Sequence, residues 1–485
     1  MAGPKVEVRT AETPQSAGLS QSTGTAFVAA AASYGPEVPT LVRSLGEAVA
    51  QFGPRTEAAS TELYDWLNTF FSLGGSKAYV NRALGAGIKV GELAVESAAK
   101  KALIVESKYK GVYANKIKVE VLANGALEIL NPESEVLESS GAATKASEVF
   151  EYFKGKEAYV IVKEGTEYAA AKGEQLKVLA AKALAGGVNP TVTEATVKTA
   201  IEGFPKASGP GQIAVAEKTN GVKEAVHIAM AEAAQKGNRI ALCDLKEAAV
   251  ASTSVATLTA EKGTYTTELS KYMLFTASAC IVQGVTLGTT RTVPGSAAVA
   301  GLCARVSQTG NDNQAAAGED WPLGPFVTGF TNPYKQTEIE ELSTAGINAF
   351  KEVVGIPCLF GFVTACSKEK DLIFWQASAS RERMALVFAA ELIGNGYLFK
   401  TIDGRKRLIA RFQGDLQGVV KKHWEANALF GETAPEAGLV QCGEPVNTLT
   451  TIANGELNAE LIVRISPYAN VVSILIVSTP VTEAV

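Results

Sequence analysis

Acid–base and nucleophilic chemistry in a protein usually starts from histidine, cysteine or paired carboxylates, and this sequence is poor in the first two. Of its 485 residues only His227 and His423 are histidines. His227 lies in "GVKEAVHIAMAEAAQKG", a helical pattern rich in alanine and methionine, where packing accounts for it better than catalysis. His423 stands between Lys421-Lys422 and Trp424, which suits a solvated or interface surface better than a general base. The cysteines Cys243, Cys280, Cys303, Cys358, Cys366 and Cys442 are scattered, with no Cys-x-x-Cys pair. They read as free thiols of a chain made in the cytoplasm. Cys358 and Cys366 flank the strand-like "LFGFVTA" and suggest neighbouring strand ends, but no further ligands complete a metal site. The phosphate-cradling Gly-x-x-x-x-Gly-Lys-Ser/Thr, the Gly-x-Ser-x-Gly elbow and the zinc-binding His-Glu-x-x-His are absent. "LGAGIKVG" opens as Gly-x-Gly, yet its third glycine comes one place late and no suitable strand precedes it, so it reads as a hinge. No catalytic residue, cofactor or metal is expected.

Two other features invite a partner rather than a substrate. Across 371–430, in "DGRKRLIARF" and "VVKKHW" above all, nine Lys/Arg face six Asp/Glu, a local +3 in a chain of net charge -5. Such a stretch is a solvated face or a surface complementary to an acidic protein, where charge sets register more than affinity. The second feature is the pair of chain ends. "KVEVRT" alternates Val6 and Val8 with Lys5, Glu7 and Arg9, while "VVSILIVSTPVTEAV" closes the chain with a β-branched, uncharged run. Both ends could pair within their own domain or be donated to another subunit by β-augmentation.

The elements that must carry these features alternate. A small-residue strand, "TAFVAAAASYGP", leads to a helix, "SLGEAVAQFG", with Ser44 and Glu47 at capping-box spacing and Gly53 as its stop. A second helix, "TELYDWLNTFFSLGG", lines up Leu63, Trp66, Leu67 and Phe70, and "KAYVNRAL" returns as a strand. Residues 86–204 read as an insertion with a hairpin turning at Asn124-Gly125 and a Gly/Ala-rich helical end. The helix holding His227 then feeds the buried strand "RIALCDL". "TEIEELSTAGINAFKEVVG" opens a last domain, with a capping box expected between Thr337 and Glu340. "DLIFWQAS" reads as a strand, and "RERMALVFAAELIGNGYLFK" as a helix with Met384, Val387, Phe388 and Leu392 on one face. "GELNAELIVRISP" and "VVSILIVSTP" read as a closing pair of strands, which places Val471–Val477 in a sheet of its own chain.

Length predicts about three domains. With 47% hydrophobic and 20% charged residues the composition is that of a globular protein, not a disordered one. No run reaches the roughly 18 apolar residues needed to span a bilayer, so no membrane insertion is expected. The first twenty residues lack the apolar core of a signal peptide. A pI near 5.5 argues against nucleic acid as a direct partner. The expected class is α/β and α+β multidomain: a strand arm (1–20), a discontinuous α/β domain (21–85 and 205–335), an inserted β-rich outer domain (86–204), a C-terminal α/β domain (336–477) and a C-terminal arm (478–485).

Five segments in order resemble one family, the tail sheath proteins of contractile phage tails and related contractile injection systems. They are the block "TGTAFVAAAASYGPEVPTLVRSLGEAVAQFGP" with "LYDWLNTFFSLGGSKAYVNRAL"; "YKGVYANKIKVEV"; "TVPGSAAVAGLCARVSQTGNDNQAAAGE"; "EIEELSTAGINAFKEVVG"; and "GELNAELIVRISPYANVVSILIV". The resemblance implies a non-enzymatic subunit that polymerises in stacked, typically six-fold rings around an inner tube and contracts by re-packing. It implies itself, a tail tube protein, and baseplate and tail terminator proteins as partners. The implied place is the sheath of a virion tail assembled in the host bacterial cytoplasm. Type VI secretion sheaths are usually split into two chains, so a single chain of this length leans toward a phage or phage-like particle. Lys5, Val6, Glu7, Val8, Arg9, Thr479, Pro480, Val481 and Thr482 would then serve inter-subunit strand exchange. Arg405, Lys406, Arg407, Lys421 and Lys422 are the candidate tube-facing cations. A soluble α/β enzyme or another virion structural protein are the alternatives.

Overall fold

The computed structural model describes residues 23–55, 62–98, 100–284 and 288–474. Strands are numbered in chain order. β1 (Ala26–Ala30), β2 (Thr40–Val42) and β3 (Ala78–Arg82) come first. β4 (Glu92–Ser97), β5 (Lys100–Ser107), β6 (Lys118–Val121), β7 (Leu127–Leu130), β8 (Val136–Ser139), β9 (Val160–Glu164) and β10 (Leu179–Ala183) follow. Then come β11 (Gly211–Ala216), β12 (Arg239–Asp244), β13 (Met273–Thr276), β14 (Cys280–Gln283), β15 (Thr290–Val293) and β16 (Val327–Phe330). β17 (Ile347–Val353), β18 (Ile356–Phe360), β19 (Gly438–Gln441) and β20 (Glu460–Val463) close the order.

β1 organises the molecule. It pairs in parallel with β11 on one edge and β3 on the other, inside an eight-stranded sheet ordered β18-β17-β13-β12-β11-β1-β3-β2. A strand flanked on both edges and covered on both faces must be apolar throughout, and all five residues of "AFVAA" are fully buried. Because side chains alternate, Ala26, Val28 and Ala30 join the layer of the Glu62–Ser72 and Gly295–Ser307 helices. Phe27 and Ala29 join the opposite layer, with the Glu194–Glu202 and Glu224–Gly237 helices. The first helix, Leu45–Phe52, is capped as its sequence signals. Ser44 Oγ accepts from the Glu47 N–H at 3.1 Å, and Gly53 ends the helix at φ +88°. Leu63, Trp66, Leu67 and Phe70 are buried as their spacing demands. Gly301 lets the Gly295–Ser307 helix approach Leu73, since a Cβ there would lie 2.6 Å from the leucine Cβ.

Residues 92–184 build their own core, including Leu103, Val105, Val119, Leu127 and Phe153, between the sheets β4-β5-β9 and β10-β6-β7-β8. The expected hairpin is present: β6 pairs antiparallel with β7, and Gly125 takes φ +78° in the turn. The region ends in the Glu194–Glu202 helix, but its Ala-rich stretch before that is not helical. Leu179–Ala183 is β10, because its backbone completes an edge of β6. The chain enters and leaves this region along two adjacent segments, bridged at Lys89 to Val188 and at Glu92 to Ala185.

The C-terminal third departs most from its sequence pattern. The expected boundary at 336 falls inside the large sheet, since β17 hydrogen-bonds to β13 and carries β18 on its outer edge. The Gln336–Thr344 helix is capped not by Thr337 with Glu340 but by Glu338, which accepts from the Lys335 N–H at 2.8 Å. "DLIFWQAS" is not a strand: Asp371 accepts from the Phe374 N–H at 3.0 Å and turns Leu372–Trp375 into a helical turn. The long Ala377–Asn395 helix follows, with Met384 buried but Val387 exposed. A separate lobe then packs the Arg407–Glu425 helix, through Ile409, Phe412, Leu416 and Val420, onto Leu386, Leu429 and Val440. β20 pairs with β19, not with the closing run. Of that run, Val471–Ile474 lies in no strand, and Val471, Val472 and Ile474 are 78%, 75% and 81% exposed. The expected in-chain sheet is therefore not formed by these residues: β20 takes β19 as its partner, and residues 475–477 lie outside the described residues.

Trp66, fully buried with its indole N–H 3.0 Å from Ser296 Oγ, ties the two helices of one layer together. Replacing it with alanine is expected to cost about 3–5 kcal/mol, measured as a lower denaturant midpoint by circular dichroism.

Candidate assembly surfaces and a buried junction

The residue types that could do chemistry are spent on structure. All six cysteines are free and buried, and burial pushes the Cys243, Cys280 and Cys303 thiols up, away from reactivity. Among the described residues no three His, Cys, Asp or Glu side chains could hold a metal, and no helix is long and apolar enough to cross a membrane. His227 is buried against the edge of Phe275, with Nε2 3.0 Å from the Asp244 carbonyl. Desolvation brings its pKa down to about 4. At the end of β12 burial raises the Asp244 carboxyl to about 6, although it accepts from the Ser296 N–H (2.9 Å) and the Thr276 hydroxyl (3.2 Å). A cavity of about 520 Å³ lies here, lined by Glu217, Lys223, Leu245, Ser278 and Gly295 among others. It occupies the carboxyl ends of parallel strands, where open α/β sheets bind ligands. Its acids already serve backbone groups: Glu261 accepts from the N–H of Lys246 (2.6 Å) and of Glu247 (2.9 Å).

The candidate tube-facing cations are all exposed, but they form two patches rather than one. Arg405, Lys406 and Arg407 sit at the start of the Arg407–Glu425 helix; Lys421 and Lys422 sit in its last turns. Fourteen residues at about 1.5 Å each separate the two patches by roughly 21 Å. Cations at a helix start oppose its dipole. Asp403 offsets this by accepting from the N–H groups of Leu408 (3.0 Å), Arg407 (3.3 Å) and Arg405 (3.0 Å), which hold its pKa below the usual range. Lys421 pairs with Glu425 at 3.7 Å. Just before the first patch, Leu398 is 60% and Phe399 104% exposed, Phe399 at φ +63°. They rim a groove of about 950 Å³ floored by Phe388, Leu392, Phe412 and Leu457.

His423 corrects its sequence reading. It is not a solvated surface residue: Nδ1 lies 2.6 Å from Oε1 of Glu382, which is fully buried. The neighbouring Arg381, also fully buried, belongs to a second network missed by sequence reasoning. Its Nη2 reaches the Cys303 carbonyl (2.8 Å), Ser307 Oγ (2.7 Å), Thr23 Oγ1 (3.2 Å) and Asp312 Oδ1 (3.2 Å). Thr23 donates to the same Asp312 oxygen. On either side of Asp312, Asn311 Nδ2 donates to the Ala426 carbonyl at 2.8 Å. Asn313 Nδ2 donates to the carbonyls of Ala428 (3.0 Å) and Ser466 (2.6 Å). The available signal was an Arg-Glu pair inside an apolar helix; the Asn-Asp-Asn triplet reads as an ordinary polar turn and gives none.

The strand-exchange candidates Lys5, Val6, Glu7, Val8, Arg9, Thr479, Pro480, Val481 and Thr482 lie outside the described residues. Inside them, β19 and β20 form a two-stranded sheet: Gln413 Nε2 donates to the Val440 carbonyl at 2.9 Å on β19, and no described strand pairs with the outer edge of β20. Leu439 and Ile462 are exposed on it.

This architecture is that of the sheath subunits of contractile tails and injection systems. The chain is similar to the sheath tail protein of Listeria innocua, with TM-score 0.61 and 14% identity over 86% of this chain and 88% of that one. It is similar to the sheath tail protein of Desulfitobacterium hafniense, with TM-score 0.59 and 13% identity over 90% and 93%. It is also similar to the anti-feeding prophage helical sheath in its contracted state, with TM-score 0.56 and 14% identity over 98% and 99%. At such identities the likeness establishes the fold. The sequence matches no family model and no curated protein.

His227 gives the fold a pH signature. Its folded pKa lies below the unfolded value of 6.5, so the neutral form is favoured in the fold and stability is lost as pH falls from 6.5 toward 4. Asp244, raised to about 6, acts in the opposite sense as pH falls between 6 and 3.8. In His227→Gln only the second effect remains. Relative to wild type the variant should gain about 3 kcal/mol between pH 7 and pH 4, read from urea unfolding at both pH values.

Proposed function

We infer that the chain is the structural subunit of a contractile sheath, stacking in rings, six to a ring, around an inner tube. Contraction re-packs the subunits and drives the tube through a target cell envelope. One observation carries this reading: the fold likeness spans nearly the whole chain and extends to a helical sheath in its contracted state. The role is mechanical and not enzymatic, which agrees with buried thiols and a buried neutral histidine. The inserted region, 92–184, faces outward; the C-terminal lobe from Leu386 onward faces the tube. The partners are further copies of the chain, a tail tube protein, and baseplate and terminator proteins. The place is a virion tail, or the tail of a phage-derived particle, assembled in a bacterial cytoplasm.

The strand arms, 1–20 and 478–485, link neighbouring subunits. The outer edge of β20, which no described strand pairs, supports this, because a two-stranded sheet is marginal alone and gains stability by accepting a strand. Val471–Ile474, exposed just before the C-terminal arm, supplies the apolar lead-in. The first basic patch meets the tube together with Leu398 and Phe399. Asp403 is occupied by its own backbone, so this loop presents apolar surface and cations to an acidic partner.

Purified chain should form helical tubes or rings in negative stain, and deletion of 1–18 or of 479–485 should abolish them. A monomer at high concentration with arms intact overturns the reading. Reversing Arg405, Lys406 and Arg407 to glutamate should leave self-assembly intact and weaken attachment to the tube protein at least tenfold at low salt, the difference shrinking as salt rises, in a co-sedimentation assay.

A further inference from the structure

Two parts of the molecule far apart in sequence meet at one carboxylate. Thr23 opens the core immediately after the N-terminal segment. It is fully buried, its carbonyl accepts from Gln212 Nε2 at 2.7 Å, and its hydroxyl donates to Asp312. One residue to either side of Asp312, the side chains of Asn311 and Asn313 hold the backbone of the C-terminal lobe at Ala426, Ala428 and Ser466. Across from them Arg381 binds Asp312 from the Ala377–Asn395 helix. That helix belongs to both bodies: Ala377 and Met384 pack in the large-sheet core and Leu386 in the lobe. Glu382, next to Arg381, holds His423 of the lobe.

We propose that Asp312 and Arg381 are positioning residues that couple the root of the N-terminal segment to the seating of the C-terminal lobe. The physical reason is the lack of slack. Arg381 is wholly enclosed and reaches Asp312, Thr23 and Ser307 through Nη2, so losing one contact shifts the others rather than being replaced by solvent. A displaced Asp312 moves Asn311 and Asn313 with it, because all three share a tight turn in which Asn311 Oδ1 accepts from the Asn313 N–H at 3.0 Å. The use of this coupling rests on the sheath reading. A neighbour's pull on the N-terminal arm would arrive at Thr23 and tilt the lobe against the core. The coupling itself is a property of the single chain.

Hydrogen exchange on the intact chain tests it, because energetic coupling between two sites must be reciprocal. Thr23→Val removes only the hydroxyl. It should speed exchange of the Ala428 and Ser466 amides, which bond the carbonyls of His423 and Ala428 at 3.0 Å each, by about fivefold or more. Asn313→Ala should in turn speed the Gln212 amide, which bonds the Thr25 carbonyl at 2.8 Å. Thr23→Ser, which keeps the hydroxyl, should match wild type at all three amides. The Ala241 amide of β12 should not change in any variant. Effects confined to the mutated side, effects in one direction only, or a rise at Ala241 as well each overturn the coupling. A chain that forms no tubes yet shows reciprocal exchange overturns the sheath reading and leaves the junction standing.

Discussion

A guanidinium without solvent access is among the most demanding groups a protein can bury, and the placement of Arg381 constrains much of this molecule. Desolvating the charge is unfavourable by several kcal/mol unless the surroundings replace water. Here they do so for one nitrogen: Nη2 meets one carboxylate, one carbonyl and two hydroxyls, drawn from residue 23 and residues 303–312, while Nε and Nη1 are buried without a hydrogen-bond partner. No one of these segments can move alone. The start of β1, the helix layer beneath the large sheet and the long helix are therefore tied together by polar geometry, while the apolar clusters supply the bulk of the stabilisation. Such a pair adds little net stability over a well-packed apolar alternative, but breaking it leaves a charge stranded. It specifies position more than strength.

On the proposed sheath reading, that property would suit a subunit that must exist in two packings. Free energy stored in one arrangement and released in another needs bodies that stay rigid and joints that are few and defined. The inserted region has its own core and is tethered by two adjacent segments, so it can ride along without being deformed. The lobe meets the large sheet through one shared helix and side-chain clasps from Asn311, Asn313, Glu382, Gln376 and Tyr468. A sheath that contracts without nucleotide hydrolysis would place its strain at junctions of this kind.

The sequence was most legible where one local rule decided the outcome. Ser44 with Glu47, the Leu63–Phe70 stripe, the Asn124-Gly125 turn and the all-apolar β1 each follow from capping, helical periodicity, turn chemistry or double burial. It was least legible where two rules competed. "DLIFWQAS" has strand composition, but the Asp371 cap acts over three residues and prevails. "LAAKA" has helical composition, but β6 lacks a partner on one side and recruits it. The boundary at 336 was misplaced because β17 pairs with β13, a contact set by tertiary packing and written in no local signal. Of the candidate site, charge could be read and orientation could not. The five cations were rightly exposed, yet the length of one helix divides them into two patches. His423 looked solvated because its partner, Glu382, lies forty-one residues away in sequence.

The exposed Val471–Ile474 run shows why an edge should be judged with its neighbours. An apolar, β-branched segment next to unpaired strands is an aggregation hazard in a protein that works alone. Among the described residues no strand pairs with the outer edge of β20, and Val471–Ile474 lies in no strand. A sequence selected only for monomer stability would place a lysine or proline in that run, as edge strands elsewhere do. This one keeps the charge out of the apolar stretch until Glu483 and delays proline to Pro480. On the proposed sheath reading such a run would serve as a donor and the free edge of β20 as an acceptor, so the feature that endangers a lone chain would join it to the next copy.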